Sequence, residues 1–581
     1  MTFGRFLVYL CALNACSATT AVDPPQRQSG CGSAVVAISQ IQGTGATSPF
    51  VGQTLHVDGV VTADAPEETG EPGFYMESPT HDTDAMSSEG LFVIMPPEQV
   101  RPELGRRIWL RGRVAERRGV TALEAVEVVS DCGPAGRQPN PIEFAALRGS
   151  DVTAAAERWE NMWVHSGEMW TLVDASRARS RGEVAATAGN RPYADGHELH
   201  NENPETALPF WAVRDAALHE RTWTLPAQGA LDLRAGARAS NLTGIVQLAS
   251  GVKSILATSR VDWQSPTVSP PPSARPSHLR VAALNVHNYF VQIGSLGATT
   301  EQELDRQRQK LVAALLGLDA DVVGLVELEN RELSSVSDLA QAVNEHLGTD
   351  RRYEFSRSLP PPGSAISVGL LYRARRATPL GEAWFDTSPI FRRAPLFQSF
   401  AIGAATLSVG VVHLKSKRCD GQESDSIGSE GCGATTRLAE VTALIERARS
   451  LPSPSSAERL LLIGDFNSNP REAPIAELLQ NGWVDLLAGL PATDRYSYVY
   501  DGRASLLDYA FGTPLLQSSL AHAGIWHVNA DEPSYRDYRI ETPSNPDLEA
   551  TVENADYTPD ASRSSDHDPI LVDFDLATLA E

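Results

Sequence analysis

A proline-rich stretch at residues 264–278 divides the chain into two parts of different character. It contains five prolines among Ser, Thr and Ala residues, a composition typical of a linker. Before it, short β-type runs are broken by Gly and Pro; after it, helix-like and strand-like stretches alternate. A chain of 581 residues also exceeds what one hydrophobic core usually serves. The sequence therefore predicts a multidomain protein, with an all-β N-terminal half and an α/β domain at residues 279–577.

The first 16 residues are typical of an export signal. Arg5 supplies a positive charge and an apolar run follows it, too short to span a bilayer permanently. The run ends in Leu13-Asn14-Ala15-Cys16, which is similar to a bacterial lipobox, although Asn14 is unusual there. Two outcomes stay open: acylation of Cys16, or simple cleavage. We expect an exported protein, either extracellular or anchored by lipid at a bacterial cell surface or outer membrane, with residues 17–30 as a flexible tether.

Four further cysteines remain in this exported chain, and an even number of thiols favours disulfides. Four thiols allow three connectivities. We favour Cys31 with Cys132, and Cys419 with Cys432, because each pair brackets one predicted structural unit. The spacing of these cysteines is not that of a zinc site.

The all-β half is predicted to contain two regions. Residues 31–135 hold short strand patterns separated by turn signals, which favour a small closed β-barrel, of which the oligonucleotide-binding (OB) fold is one type. Residues 151–263 continue in β style around a long irregular insertion. That insertion contains His197-Glu198-Leu199-His200, whose histidines are three residues apart; metalloprotease helices place them four apart, so we interpret it as a loop.

The formal net charge of −24 limits how the chain can bind a polyanion. Phosphate binding needs a positive face, so this charge argues against a protein that binds nucleic acid over its whole surface. Any phosphate substrate must be met by a local basic patch or by bound cations.

Polar side chains collect at the ends of the predicted strands of residues 279–577. One acidic residue after an apolar strand is usually a turn former, but several strand ends bearing acids, amides and histidines are harder to explain in that way. Carboxylate and amide oxygens suit hard divalent cations, and imidazole exchanges protons near neutral pH. Together they predict metal-assisted hydrolysis of a phosphate ester. The residues are Asn285, Glu327, Tyr372, His413, Asp465, Asn467, Asp508, Asp566 and His567.

The order of the short motifs around these residues resembles the endonuclease/exonuclease/phosphatase superfamily. Within it, the chain is most similar to bacterial extracellular or surface-anchored deoxyribonucleases. The resemblance implies a four-layered α/β sandwich for the C-terminal domain. The motifs are Leu284-Asn285-Val286, Asp321 to Glu327, Val368 to Arg373, His413 to Lys417, Gly464-Asp465-Phe466-Asn467, Leu507-Asp508-Tyr509 and Ser565-Asp566-His567-Asp568-Pro569.

The same resemblance implies a role for each matched residue. Glu327 is the principal metal ligand, supported by Asn285 and Asp566. His567 is the catalytic histidine, oriented by Asp508.

The remaining matched residues act on the substrate. Asp465 and Asn467 handle the attacking water and the scissile phosphate, His413 meets the phosphate or the leaving group, and Tyr372 contacts the phosphate. The division of acid and base among His567, His413 and Asp465 stays open.

Basic residues near these motifs are candidates for substrate binding. Arg393, Lys415 and Lys417 are the positive residues that an otherwise acidic protein would offer to phosphates, with solvated surface as the alternative. The expected cofactor is Mg²⁺ or Mn²⁺, and Ca²⁺ stays open. We expect a monomer.

These observations predict a metal-dependent endodeoxyribonuclease of low sequence specificity, and leave open whether RNA is also cut. Two rivals remain. A sphingomyelinase or lipid phosphatase would use the same chemistry on a membrane. A surface binding protein would carry an inactive nuclease domain.

Overall fold

The computed structural model describes most of the chain. The described residues are 31, 35–65, 71–82, 86–96, 98–136, 140–144, 156–191, 193–194, 211–215, 233–248, 253–419, 430–449, 458–500, 502–540 and 557–580. The predicted export signal, the tether, Cys16 and the loop at residues 197–200 lie outside these residues. Within them, no helix is both long enough and apolar enough to cross a bilayer.

The N-terminal strands close into a five-stranded barrel. Neighbouring strands follow the order β1-β2-β3-β5-β4, and β4 pairs with β1 to close it. All pairs are antiparallel except that of β3 with β5. The elements are α1 (Ile38–Gln42), β1 (Thr54–Ala65), β2 (Gly73–Glu77), β3 (Gly90–Ile94), β4 (Arg106–Arg117) and β5 (Val120–Pro134).

A second unit is built on an eight-stranded sheet, which we call the middle sheet. Its strand order is β12-β8-β9-β11-β14-β13-β7-β6. The barrel packs against it, because Tyr75 and Phe92 share an apolar cluster with Ile245 and Leu256. The elements are β6 (Ile142–Glu143), β7 (Trp163–Ser166), β8 (Trp170–Asp174), α2 (Ala178–Arg181), β9 (Glu183–Ala188), β10 (Tyr193–Ala194, outside this sheet), β11 (Trp211–Arg214), β12 (Arg238–Ala239), β13 (Leu242–Gln247) and β14 (Ser254–Ala257).

Both predicted cysteine pairs lie at disulfide distance. Cys31 joins Cys132, which ties the segment before the barrel to its last strand, and Cys419 joins Cys432. The sequence separations are 101 and 13 residues. Each crosslink restricts the unfolded chain, and in the chain-entropy model the longer loop yields the larger stabilisation.

The proline-rich segment lies along the C-terminal domain. Arg280 donates to the carbonyl oxygens of Pro272 and Ser273, and Trp526 Nε1 donates to that of Ser269 at 3.0 Å. Backbone carbonyls of a segment rich in proline have few amide partners nearby, so side chains of the neighbouring domain satisfy them.

The C-terminal domain contains two six-stranded sheets. The first has the order β17-β18-β16-β15-β28-β27. Two helices lie on its outer face. The elements are β15 (His278–Tyr289), α3 (Glu301–Leu318), β16 (Val322–Glu329), α4 (Ser334–Asn344), β17 (Glu354–Phe355), β18 (Ile366–Tyr372), β27 (Leu520–Ile525) and β28 (Ile570–Asp575).

The second sheet has the order β19-β20-β21-β22-β26-β23. A small third sheet, β10-β25-β24, joins a strand from the N-terminal half to a hairpin of this domain. The elements are β19 (Thr378–Phe385), β20 (Leu396–Ile402), β21 (Ala405–His413), α5 (Ala434–Arg449), β22 (Leu460–Asp465), α6 (Ala473–Gln480), β23 (Val484–Asp485), β24 (Tyr498–Tyr500), β25 (Arg503–Ser505), β26 (Asp508–Gly512), α7 (Pro514–Gln517) and α8 (Leu576–Leu579).

Side chains that point alternately to the two faces of each strand form the cores between the layers of the domain. Leu279 and Val281 of β15 belong to the core between the two sheets, whereas Ala282 and Leu284 belong to the core under α3 and α4. Successive strand residues point to opposite faces, so a strand that is apolar on both faces must be covered on both. A third core lies between the second sheet and α5 and α6. The domain is therefore an α/β sandwich of four layers.

The first long helix, α3, begins at an N-cap formed by Thr300. The Thr300 side chain accepts a hydrogen bond from the Glu303 amide at 3.1 Å, as an N-cap does. The Glu303 carboxylate in turn accepts hydrogen bonds from the amide and hydroxyl of Thr299. In a standard capping box it would accept from the amide of the N-cap itself, which here is Thr300. The helix packs Leu311, Leu315 and Leu318 onto the first sheet, which fixes the sheet edge where the site lies.

Candidate active site

Three neighbouring strands of the second sheet carry polar residues in direct register. His413 ends β21, Asp465 ends β22 and Asp508 begins β26; His413 is paired with Asp465, and Asp465 with Asp508. Since β21 and β22 are parallel and β26 is antiparallel to them, the three side chains occur at one edge of the sheet. All three are buried.

The first sheet brings its own polar residues to the same edge. Its strands β15 and β16 run parallel, so their C-terminal ends coincide. Asn285 of β15 reaches across to the second sheet, where its Nδ2 lies 3.4 Å from Asp465 Oδ2. The edges of the two sheets therefore form one site.

A tight loop after β22 fixes Asp465 and Asn467. The Asn467 amide donates to Asp465 Oδ1 at 2.8 Å, and Asn467 Nδ2 donates to the Leu414 carbonyl at 3.1 Å. Asn467 has a φ of 48°, a left-handed conformation that asparagine tolerates better than most residues. The loop thereby keeps the second carboxylate oxygen of Asp465 directed towards the site.

A histidine–aspartate pair lies next to this carboxylate. His567 Nδ1 is 2.7 Å from Asp508 Oδ2, which also accepts the Ser497 hydroxyl at 2.7 Å. The Tyr498 ring covers the imidazole at 4.6 Å between centroids. Burial would lower the pKa of His567, but Asp508, Asp465 and Asp566 outweigh it and raise that pKa well above its ordinary value. His567 is held protonated and fixed in orientation.

The other histidine has the opposite character. His413 is buried, and burial, followed by the charges of Arg393 and His567, lowers its pKa well below the ordinary value. Its Nε2 lies 3.7 Å from Asp465 Oδ2, and its Nδ1 has no hydrogen-bond partner among the described residues. The edge of this sheet thus offers a neutral imidazole and a charged imidazole together.

Asp465 lies between these histidines. Burial raises the pKa of Asp465 to about 7; His567 opposes this shift, and the neighbouring carboxylates of Asp508 and Glu327 add to it. An acid–base group is most effective when its pKa lies near the working pH. A carboxylate that titrates near neutrality beside a protonated histidine can accept and donate protons at one reacting centre.

Glu327 lies in an irregular part of β16. The register of β16 with β18 shifts between Val326 and Leu328, and Glu327 has a φ of 69°. A glutamate in this conformation is strained, and such strain is concentrated at functional sites. The bulge re-aims the side chain, whose Oε2 accepts the Asn288 amide at 3.0 Å.

Asp566 closes the site from the loop before β28. His287 Nδ1 is 3.6 Å from its Oδ1. Burial would raise the pKa of Asp566, but His287, His567 and Arg563 outweigh it and lower the pKa below its ordinary range. Asp566 is therefore ionised at neutral pH.

The family model described as "Endonuclease/Exonuclease/phosphatase family" matches residues 282–567, which include all of these side chains. The C-terminal domain belongs to this family. Enzymes of the endonuclease/exonuclease/phosphatase family are hydrolases of phosphodiesters or phosphate esters, and they usually use divalent metals.

Solved structures similar to this chain include three proteins. A humanised TDP2 from D. rerio is 16% identical, with 51% of this chain and 99% of that chain covered and a TM-score of 0.34. The human Nocturnin catalytic domain is 14% identical, covering 52% and 98%, with a TM-score of 0.33. A mannosyl-6-phosphatase from Bacteroides thetaiotaomicron is 14% identical, covering 51% and 98%, with a TM-score of 0.33. No curated protein matches the chain.

The donor set of the endonuclease/exonuclease/phosphatase domain fits a divalent cation. Glu327, Asp465 and Asp508 form no ion pair with Lys or Arg among the described residues; His413 lies beside Asp465, and His567 beside Asp508. Buried carboxylates at such density need a cation or protons. Glu327, Asn285 and Asp566 supply the oxygen ligands that Mg²⁺ and Mn²⁺ prefer.

A second group has ligand atoms within 4.8 Å of one another: Asp465, Asp508 and His567. The short His567–Asp508 hydrogen bond places a proton between two of its three members. Because His567 and Asp508 use these atoms to share a proton, we interpret the group as an acid–base pair and not as a metal site.

The basic residues around the domain divide into two kinds. Arg393 is half-buried, donates to the Leu414 carbonyl at 2.7 Å and influences His413, so it borders the site. It also lines a groove of about 360 Å³ with Arg392 and Asn330.

The two lysines predicted to bind substrate already contact other protein groups, and their substrate role stays a prediction. Lys415 Nζ donates to the Ser416 and Arg418 carbonyls, and Lys417 Nζ bonds the Glu430 carbonyl and the Glu472 carboxylate. Lys417 thereby links Glu430, which lies just before Cys432, to Glu472. A charge that a buried carboxylate already neutralises is a poor phosphate ligand.

The prediction that Tyr372 contacts phosphate is wrong. Tyr372 is paired with Val322, the first residue of β16, whereas Glu327 lies near the end of that strand. Since β18 is antiparallel to β16, Tyr372 lies at the opposite edge of the sheet. Its ring packs against Phe400, and its hydroxyl lies 3.3 Å from Glu354.

Several contributing residues were not among the predicted site residues. His287 and Tyr498 contact Asp566 and His567, respectively, and Ser497 donates to Asp508. His287 lies two residues after Asn285, and this closeness in sequence was the one indication that it belongs to the site. Nothing in the local pattern of Ser497 and Tyr498 links them to the loop at residues 564–568.

Asp568 joins two loops of the site. Its Oδ1 accepts the amides of Val528, Asn529 and Ala530 at 2.8–3.0 Å, and its Oδ2 lies 2.8 Å from His527 Nδ1. Asp568 is 1% exposed. These contacts shape the loop that also carries His567.

Replacing Asp568 with alanine is expected to destabilise the domain. Three buried amides lose their acceptor, and each unsatisfied donor costs about 1–3 kcal/mol. The melting temperature measured by calorimetry should fall by at least about 5 °C. Asp568→Asn, which keeps an acceptor oxygen, should lose clearly less. Equal melting temperatures for wild type and Asp568→Ala would show that the loop is held by other contacts.

Proposed function

We propose that the protein is an exported, metal-dependent phosphodiesterase that cleaves DNA with low sequence specificity. One observation carries this proposal: His567, oriented by Asp508, has its ligand atom within 4.8 Å of those of Asp465 and Asp508, at the place where Asn285 of the first sheet contacts Asp465 of the second. A phosphodiester is an anion that resists an anionic nucleophile. The site must therefore neutralise charge and move protons at the same place.

We assign the roles from this geometry. Glu327, Asn285 and Asp566 would hold the metal ion, which supplies charge neutralisation at the phosphoryl oxygens. Asp465, with a pKa of about 7, is suited to take the proton of the attacking water, and Asn467 supports the same loop.

The histidines act on the phosphate. His567 is suited to stabilise the developing charge and to protonate the leaving oxygen, and neutral His413 presents its ring nitrogen to the same centre. Arg393, whose charge acts on His413, offers a guanidinium for a neighbouring phosphate.

Two features favour nucleic acid over a lipid headgroup. The five-stranded closed barrel, with the order β1-β2-β3-β5-β4, supports an OB-type module, a fold used on oligonucleotides. The two disulfides support residence in an oxidising compartment outside the cytoplasm.

A single assay tests this function. The mature protein is incubated with plasmid DNA, single-stranded DNA, RNA and sphingomyelin, each with Mg²⁺, Mn²⁺ or Ca²⁺ and then with EDTA. We expect cleavage of both DNA forms, loss of cleavage in EDTA and recovery when Mg²⁺ or Mn²⁺ is restored. Hydrolysis of sphingomyelin alone would overturn the substrate, and cleavage that survives EDTA would overturn the metal dependence.

A further inference from the structure

A cleft separates the middle sheet from the endonuclease/exonuclease/phosphatase domain and opens beside the active site. Its volume is about 510 Å³, within the range of about 300–1,000 Å³ for ligand sites. One wall is the turn at residues 173–177 after β8, together with Ala235. The other wall is the β24 strand and the loop at residues 530–534. Asp566 and Arg563 line the same cleft, so it is continuous with the catalytic centre.

The two walls are fixed against each other. Buried Arg234 pairs with Glu532 at 2.9 Å, and Arg191 pairs with Asp531 at 2.6 Å. The Ala235 amide donates to the Asp531 carbonyl at 2.9 Å. Tyr535 of the catalytic domain lies in the hydrophobic core of the middle sheet. The cleft is therefore preformed, and little binding energy is lost in ordering it.

Two tyrosines lead from the catalytic histidine into this cleft. Tyr498 covers His567, and Tyr500 follows two residues later with its ring nearly parallel, at 8° and 6.5 Å between centroids. Residues two apart on a strand lie on the same face, which accounts for the alignment. Tyr500 is 71% exposed, although large aromatic side chains are usually covered.

Two acidic residues of the cleft, Asp531 and Glu532, are paired with arginines, whereas Asp566 at its catalytic end is ionised. Asp531 is paired with Arg191 and accepts the Tyr496 hydroxyl, and Glu532 is paired with Arg234 and Arg536. Asp174 is turned into its own loop, where it accepts the Ser176 amide at 2.7 Å. With Asp531 and Glu532 paired, the exposed ring of Tyr500 is the part of the lining that suits the flat, uncharged face of a base.

We propose that this interdomain cleft binds unpaired nucleotides adjacent to the scissile phosphate, with Tyr500 stacking on a base and the turn at residues 173–177 forming the opposite wall. The inference rests on the proposed nuclease function and adds that the substrate is bound with its nucleotides unpaired. Base–aromatic stacking is independent of sequence because every base has a π-face. In a duplex those faces are covered by neighbouring pairs, so the cleft favours single-stranded or locally opened DNA.

The test compares Tyr500→Ala with Tyr500→Phe on three substrates. These are a single-stranded oligonucleotide, the same sequence as a duplex, and bis(p-nitrophenyl) phosphate, a diester without bases. Tyr500→Ala should raise KM for the single strand about 5- to 100-fold, the effect of losing one base stack, while kcat changes little. Tyr500→Phe keeps the ring and should stay within about twofold of wild type.

A second variant tests the other wall. Ser176→Trp enlarges a residue of the turn and narrows the cleft from the middle sheet. It should raise KM for the single strand and leave turnover of the small diester near that of wild type.

The possible results distinguish a failure of the cleft proposal from a failure of the proposed nuclease function. If wild type cleaves single strands and Tyr500→Ala keeps its KM, the cleft assignment is wrong. If Tyr500→Ala slows the small diester as much as DNA, Tyr500 supports the catalytic centre and the stacking role is overturned. If wild type hydrolyses only the small diester or sphingomyelin, the proposed nuclease function fails first.

Discussion

Replacing His567 with alanine is expected to lower kcat for DNA cleavage about 100- to 10,000-fold, the range for loss of a positioned acid or base. The variant removes both the imidazole and the positive charge that Asp508, Asp465 and Asp566 maintain in a buried site. Single-turnover cleavage of a labelled oligonucleotide at saturating protein measures the chemical step. KM should change less than kcat, because the charge acts mainly as the transition state forms.

His522 provides a matched control for this variant. It is 55% exposed and pairs with Asp573 at 3.8 Å, and Asp573 also binds Arg280 near the start of β15, away from the catalytic edge. His522→Ala should cleave DNA at the wild-type rate. Cleavage near the wild-type rate by His567→Ala would remove this histidine from the mechanism.

Glu327→Gln is expected to abolish most activity by weakening the metal site. The substitution preserves shape and removes one negative charge from a strained, re-aimed position. Loss of several kcal/mol of charge stabilisation corresponds to a decrease in kcat/KM of about 1,000-fold. Calorimetric titration with Mn²⁺ should show a weaker Kd, which is a readout independent of turnover. High Mn²⁺ should restore part of the rate.

The exposed Glu382 on β19 is the matched control. Glu382→Gln changes the same side chain on a strand whose surface faces solvent, and it should bind Mn²⁺ and cleave DNA as wild type does. An unchanged Mn²⁺ affinity in Glu327→Gln would contradict the assignment of Glu327 as a ligand.

Much of the site could be predicted because its residues end or begin strands that meet at one edge. His413, Asp465 and Asp508 each follow or precede an apolar run, and the register then places them side by side. The α/β architecture was predicted for the same reason, since strands buried on both faces read as continuous apolar runs.

Tyr372 shows where that reasoning fails. A polar residue at a strand end marks the catalytic edge only if the strand runs towards that edge, and β18 runs away from it. Strand direction depends on tertiary pairing, which an apolar run does not encode. Lys417 illustrates a related limit, because the sequence does not reveal its ion pair with the distant Glu472.

His287, Ser497 and Tyr498 were missed because their importance comes from long-range contacts. Ser497 and Tyr498 lie about 70 residues before His567, on a short hairpin with no distinctive pattern. The cleft beyond them is formed by two parts of the chain more than 300 residues apart, as the Arg191–Asp531 pair illustrates.

The strand β10 has a practical consequence for the expression of the C-terminal domain by itself. It pairs with β25 in a sheet completed by both halves of the chain, and Tyr535 is inserted into the apolar interior of the other half. A fragment starting at the proline-rich segment would expose that tyrosine, an open strand edge and carboxylates without their arginines. The recombinant unit of minimal length must therefore begin upstream of the middle sheet.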